Sequence, residues 1–198
     1  QHKVPVIVDA ARQLPPRANL TELTAMGVDL VVFSGGKGLF GPQSTGLILG
    51  RKDLVQACFL NTNPHSAFGR GMKVGKEEIA ALLTAVELFM EQDEEAVIRD
   101  WEKRCHTIAD VVREVAGLTG DYEPPYATQF PPASPQLHIH FSEDFPLNAA
   151  QVRQALEEGE PSILVGGSAT SLTIFPQTLQ DGETEVIAAR LCEILQKT

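Results

Sequence analysis

Asp29-Leu-Val-Val-Phe-Ser-Gly-Gly-Lys37 is the stretch on which the fold turns. An apolar run with two β-branched residues follows an acid and leads directly into a glycine pair and a lysine. Short apolar runs bounded by turn residues read as strands of a parallel sheet, buried on both faces. Upstream, Val4-Pro-Val-Ile-Val8 has the same character and ends in Asp9, followed by the small residues Ala10 and Ala11. Between the two runs, Asn19-Leu-Thr-Glu22 matches a capping box, Leu20, Leu23 and Met26 keep helical spacing, and Gly27 supplies the stop. Strand, helix, strand is the repeating unit of an α/β sheet, and ligands of such sheets gather at the carboxyl ends of the strands. Asp9 and Lys37 both stand at such ends.

Beyond the lysine, a loop with Gly38, Gly41 and Pro42 leads into a third strand, Thr45–Leu49. Asp53–Leu60 predicts a short helix, and residues 61–73 are too rich in Asn, Pro and Gly for regular structure. Lys76–Met90 is strongly helical, with Ile79, Leu82, Leu83, Val86 and Met90 on one face, and a second helical pattern runs from Glu94 to Val115 and stops at Gly117. After that the pattern changes. Gln136–Phe141 predicts a strand, Asn148–Leu156 a helix, the neighbourhoods of Ile163 and Leu172 further strands, and Glu183–Leu195 a last helix. The fold class expected is α/β: residues 1–93 as part of a large α/β domain, followed by a small α+β C-terminal domain, residues 94–198, joined through long helices.

Composition narrows the function classes. With 198 residues, 43% of them hydrophobic, the chain can bury a sizeable core. Sixteen Lys and Arg against 26 acids give a formal charge of −10. That balance argues against nucleic-acid or membrane-surface binding, which favours a basic face, but leaves room for a small anionic ligand held by local donors. No apolar run approaches the roughly 20 residues of a membrane span. Cys58, Cys105 and Cys192 are scattered and show no metal or redox spacing, so free thiols in a cytoplasmic protein are expected. His138 and His140 alternate on one strand without the further ligands a metal needs. The first residue is Gln1, and a strand follows almost at once, so the sequence is expected to begin inside a domain.

An acid at one strand end and a lysine at the next is the pair that pyridoxal 5′-phosphate (PLP) chemistry requires. A lysine amine forms the Schiff base and must be partly desolvated for its neutral form to be accessible. A carboxylate keeps the pyridine nitrogen protonated, which makes the ring an electron sink. Lys37 and Asp9 fit these roles. Ser34 can donate to the cofactor phosphate, while Gly35 and Gly36 allow close backbone approach and positive φ. A nucleotide P-loop is the rival reading of a glycine–lysine turn, but Val31 stands where the first glycine is needed and Gly38 where Ser or Thr is needed. Arg12 and Arg70 offer planar forks for an oxyanion; surface salt bridges or solvated charge are the bland alternatives. Lys73, Gln43 and His65 are weaker candidates for the same neighbourhood.

Taken together, Val8-Asp9-Ala-Ala11, Asp29 to Lys37, Gly41-Pro42-Gln43 with Gly46, and Phe68-Gly-Arg70-Gly-Met-Lys73-Val-Gly-Lys76-Glu77 resemble the bacterial selenocysteine synthase (L-seryl-tRNA selenium transferase)-related family. Within it they are most similar to the D-glucosaminate-6-phosphate ammonia-lyase type, and Thr178-Leu-Gln-Asp-Gly-Glu183 resembles the family's C-terminal lobe. The resemblance covers nearly the whole chain and is most specific over residues 29–50. It implies an aminotransferase-like, fold-type-I PLP enzyme with Lys37 as the Schiff-base residue, Asp9 on the pyridine nitrogen and Ser34 near the phosphate. It also implies a homodimer or higher homo-oligomer acting on a small amino acid or amino-sugar acid.

Two departures stand out. The family's longer N-terminal portion, with its phosphate-cupping loop and ring-stacking residue, has no counterpart here, so the chain resembles the C-terminal part only. Ser168–Thr178 contains no arginine for a substrate carboxylate. Three readings therefore stay open: a lyase eliminating ammonia, a selenium or sulfur transferase or aldolase, and a fragment that is inactive by itself or serves as a scaffold.

Overall fold

The computed structural model describes residues 4–125 and 134–196. The chain divides into two compact units, residues 1–94 and 95–198.

In the first unit β1 (Ile7–Asp9), β2 (Leu30–Ser34) and β3 (Gly46–Gly50) form a sheet in that order, with α1 (Asn19–Ala25), α2 (Lys52–Leu60) and α3 (Lys76–Glu91) around it. β1 and β2 run parallel, pairing Ile7 with Leu30, Val8 with Val31 and Asp9 with Val32. β3 is antiparallel to β2, pairing Val32 with Ile48 and Ser34 with Gly46. Alternation along the strands separates two faces. Val8, Val31, Phe33, Leu47 and Leu49 turn toward a core completed by Ala10, Leu14, Leu20, Leu23, Leu39, Leu82, Val86 and Phe89. Ile7, Asp9, Val32, Ser34 and Ile48 lie on the opposite face, where Ile7 is 65% exposed and Ile48 38%.

The expectation that the first strand is buried on both faces is therefore corrected. β1 is the edge of a three-stranded sheet whose core lies on one side, so Val4, Val6 and Ile7 remain exposed. The face expected for α3 is corrected as well. Leu82, Val86 and Phe89 pack on the core, whereas Ile79, Leu83 and Met90 sit on an adjoining, exposed stripe. Among the described residues, almost every exposed large apolar side chain belongs to this unit; the second contributes only Leu164 and Val186. The capping box also fails: Ala18 occupies the cap, and the Asn19 amide donates to the Gln13 carbonyl at 2.8 Å instead. Gly27 does stop α1, at φ +99°.

At the amino-terminal end of β2, Asp29 clamps all three strands. Its carboxylate accepts from Val6 N at 2.8 Å and from the Arg51 guanidinium at 2.8 Å, and Arg51 also bonds Asp53. Arg51 holds both carboxyls below their ordinary range.

The second unit is α+β. β4 (Leu118–Glu123), β5 (Gln136–Phe141), β6 (Gly166–Gly167) and β7 (Ser171–Ile174) form an antiparallel sheet in the order β4-β5-β7-β6. Helices α4 (Glu94–Arg113), α5 (Ala149–Glu157) and α6 (Glu183–Leu195) supply the rest of its core. Ile108, Leu137, Ile139, Val152, Leu156, Leu172 and Leu191 are fully or almost fully buried there. Asn148 caps α5 through a reciprocal pair with Gln151, and Gly117, at φ +89°, ends the turn after α4. β4 is an addition to the elements read from the sequence. Its Thr-Gly-Asp core is a poor strand former, and only pairing with all six residues of β5 makes it one.

Cys105 lies at 0% exposure in this core, and burial pushes its thiol up to about 12. We expect native-state alkylation to modify Cys58 and Cys192, both half-buried, and to reach Cys105 only on unfolding, as mass spectrometry of labelled peptides would record. The clamp has its own pH signature. Because the folded-state pKa of Asp29 and Asp53 is depressed, their contribution is present above the unfolded carboxylate pKa and is lost as pH falls through the folded value. Asp29→Asn should flatten the acid limb of the stability–pH profile, and more so at low salt, since the groups are on the surface.

Candidate active site

Asp9 and the Lys37 turn meet at one edge of the first sheet. Because β1 and β2 are adjacent and parallel, Asp9 (the last residue of β1) lies opposite Val32, Ser34 (the last of β2) follows two residues on, and the side chains of Asp9 and Ser34 project on the same open face. Ala10 N donates to Val32 O at 2.8 Å and carries the pairing one residue past the strand. Asp9 Oδ1 accepts from Ala11 N at 2.9 Å, which orients the carboxylate; its other oxygen accepts no hydrogen bond among the described residues. The Lys37 turn closes over the segment that follows Asp9. A Cβ on Gly38 would lie 2.1 Å from the carbonyl oxygen of Leu14, so only glycine lets the two backbones come this close.

The glycines before the lysine have a reason other than the one expected. Neither Gly35 nor Gly36 has positive φ. Both are required by crowding: a Cβ on Gly35 would stand 1.9 Å from Thr45 Oγ1, and one on Gly36 would stand 2.6 Å from Gln43. The turn is knotted by Gly35 N to Thr45 O at 3.0 Å, Gly41 N to Gly35 O at 2.7 Å and Phe40 N to Lys37 O at 2.9 Å. Gln43 Nε2 donates to Gly36 O at 2.8 Å, so this side chain braces the turn.

Lys37 itself is exposed and has no ion-pair partner among the described residues. The burial expected of it is thus not seen among the described residues. Arg12 is exposed in the turn after Asp9. Arg70 starts a short 3-10 turn, Arg70–Met72, with Lys73 just after it; both are exposed. The loop before Arg70 is closed by Gly69 N to Asn61 O at 2.7 Å, and His65 packs edge-on to Phe59 with ring centroids 5.1 Å apart. The structure therefore brings Asp9, Ser34, Gly36 and the Lys37 turn to one edge, and it holds Arg70 on a separate loop of the same unit.

Sequence reading missed two residues behind the turn. Ser44 donates to one carboxylate oxygen of Glu78, whose other oxygen accepts from Gly75 N at 2.9 Å at the start of α3. These two donors hold the Glu78 carboxyl below its ordinary range. The available signal was a glutamate three residues after Gly75, half of a capping box.

In the second unit, His138 bonds Glu123 through Nε2 at 3.0 Å and Thr173 through Nδ1 at 3.2 Å, while His140 faces Asp121 at 3.5 Å. Both histidines lie on the sheet face away from the helices. No group of three or more metal-ligating side chains is assembled among the described residues.

Residues 6–105, which span β1 to the first half of α4, match the family model described as L-seryl-tRNA selenium transferase. D-glucosaminate-6-phosphate ammonia lyase of Salmonella typhimurium is 31% identical over 197 residues, covering 98% of this chain and 49% of that protein. A solved structure of D-glucosaminate-6-phosphate ammonia-lyase superposes with a TM-score of 0.72 at 29% identity, over 98% of this chain and 50% of the other. Serine palmitoyltransferase from S. paucimobilis, solved with PLP bound, shares the fold at a TM-score of 0.57 and 13% identity, over 99% of this chain and 47% of its own. The chain thus spans about half the length of the relatives it matches. The fold is aminotransferase-like.

The glycine crowding gives a direct test of this packing. Gly38→Ala should lower stability by about 1–3 kcal/mol, because the clash is with backbone rather than a movable side chain. Gly71→Ala, with nothing within 4 Å of its added Cβ, should change stability by no more than about 0.5 kcal/mol in the same urea titration. By sequence and by fold, the chain belongs to the L-seryl-tRNA selenium transferase family.

Proposed function

We propose that residues 1–93 are the C-terminal part of a PLP-binding large domain and residues 94–198 the small domain of a PLP-dependent enzyme, with Lys37 as the cofactor-holding lysine. The observation that carries this reading is the parallel β1–β2 pairing, which sets the Asp9 carboxylate and the Lys37 turn on one sheet edge. The residues present fit the group. A carboxylate with an available oxygen, a hydroxyl on the same face and a turn in which Cβ atoms would clash are what a ring nitrogen, a phosphate and a closely approached backbone need.

When bound, PLP supplies an electron sink that acidifies the hydrogen at the substrate α-carbon. Lys37 would hold the cofactor through Nζ, and as a free amine the same Nζ would accept that proton. Asp9 would keep the pyridine nitrogen protonated through the oxygen that accepts no other hydrogen bond among the described residues. Ser34 donates its hydroxyl, and Gly36 its backbone N–H, toward the phosphate. Arg12 and Arg70 present guanidinium groups to oxyanions of cofactor or substrate. Exposed Lys37 and the exposed apolar side chains of the first unit support a cofactor domain larger than these residues, and the 198 residues alone are then inactive.

The reaction proposed is elimination of ammonia from an amino acid or amino-sugar acid, supported by the ammonia-lyase likeness over nearly the whole chain. The match to the selenium transferase model favours a second reading, transfer of selenium or sulfur; the charge of −10 weighs toward a small substrate rather than a tRNA. We further propose a homodimer in the cytoplasm. Among the described residues no helix is long and apolar enough to cross a membrane.

In the holoenzyme, Lys37→Ala is expected to abolish the visible absorbance of lysine-bound cofactor, and a variant that keeps the wild-type band sinks the assignment. Incubation with amino-sugar acids should release ammonia. Selenium transfer to seryl-tRNA in place of ammonia release would establish the transferase reading instead.

A further inference from the structure

We propose that Glu78, 41 residues beyond Lys37 in sequence, is a positioning residue for that lysine. The inference rests on the reading of Lys37 as the cofactor-holding residue. Its support is a continuous relay of contacts. Glu78 takes the Ser44 hydroxyl on one oxygen and Gly75 N, at 2.9 Å, on the other, which fastens the Gly41–Thr45 loop to the first turn of α3. That loop in turn holds the residues before the lysine: Gln43 Nε2 on Gly36 O at 2.8 Å, Thr45 O on Gly35 N at 3.0 Å, and Gly41 N on Gly35 O at 2.7 Å. Thr45 Oγ1 closes the loop on itself through Pro42 O at 2.6 Å.

Packing reinforces the relay. Leu82, one turn after Glu78, lies 2.9 Å from where a Gly35 Cβ would stand, and Ala85 lies 3.3 Å from that of Gly41. The two glycines that flank the lysine turn therefore rest on α3 itself. A helix cap alone would use Glu78 and Gly75. The Ser44 hydroxyl is the additional partner, and it belongs to the loop that braces the lysine turn rather than to the helix. Because the lysine side chain is long and exposed, its direction depends on the backbone beneath it, and Glu78 adds, through Ser44, a hydrogen-bonded tie between the bracing loop and a rigid element.

The test is made in the holoenzyme with Glu78→Ala, Glu78→Gln and Ser44→Ala. A misdirected lysine costs chemistry rather than binding. Glu78→Ala and Ser44→Ala should each lower kcat about 10- to 100-fold with KM changed less than about threefold. Both should also displace the pH midpoint of the visible band of the lysine-bound cofactor. Glu78→Gln can accept from Gly75 N and donate to Ser44 Oγ, and should restore both the midpoint and kcat. Unchanged kcat and midpoint in Glu78→Ala and Ser44→Ala, even with a lower Tm, would reduce Glu78 to a helix cap and overturn the inference. A Gln variant as impaired as the Ala variant would overturn it in favour of a charge effect. If Glu78→Ala fails to fold, Ser44→Ala decides by the same readouts. Lys37→Ala, measured in parallel, separates the two failures: loss of its band with normal Glu78 and Ser44 variants leaves the lysine reading intact, while retention of its band removes that reading itself.

Discussion

The pairing of Asp9 with Val32 in parallel register is the constraint on which everything at the sheet edge depends. Side chains alternate along a strand, so a slip of one residue would turn Asp9 into the core and put Val8 on the open face. Three features hold the register. Val8, Val31 and Phe33 need the buried side, Asp29 clamps Val6 and Arg51 at the far end of the strands, and Ala10 N continues the ladder past Asp9. The acid and the lysine turn are thus set at one end of a pair of strands whose other end is separately fastened.

From that register the two units diverge in how far their own residues complete them. The second has helices on one face of its sheet and a core in which Leu137, Ile139, Val152 and Leu156 are fully buried. The first buries Phe33 and Val31 equally well on its α1–α3 side, but leaves Ile7 and Ile48 exposed beside Asp9 on the other and a stripe of Ile79, Leu83 and Met90 on α3. Lys37 is exposed beside this open face.

Within the first unit, precision comes from loops rather than strands. Lys37 lies beyond the last paired residue of β2, so no ladder bond orients it. Its turn is instead compacted by glycines that tolerate contacts of 1.9–2.6 Å to an imagined Cβ, by Gln43 and Thr45, and, through Ser44, by Glu78 on α3. Side-chain hydrogen bonds of this kind are individually modest, yet each removes a freedom the turn would otherwise keep.

Local patterns in the sequence determined a good deal. Gln136–Phe141 and Glu183–Leu195 were legible to the residue because their apolar periods match their burial, and Gly27 and Gly117 were legible as stops because their φ is positive. The candidacy of Asp9, Ser34 and Lys37 was legible too, since strand-end position follows from short apolar runs meeting turn residues. Tertiary structure alone decided what depends on neighbours. Whether Leu82 or Leu83 faces the core, whether Thr-Gly-Asp becomes a strand, why Gly35 and Gly36 are glycines, and that Glu78 reaches Ser44 all turn on residues outside the local pattern, from the next loop to the far end of the unit. The physical reason is that periodicity encodes which side chains prefer burial, whereas contact with a specific partner exists only after the chain has brought the two together.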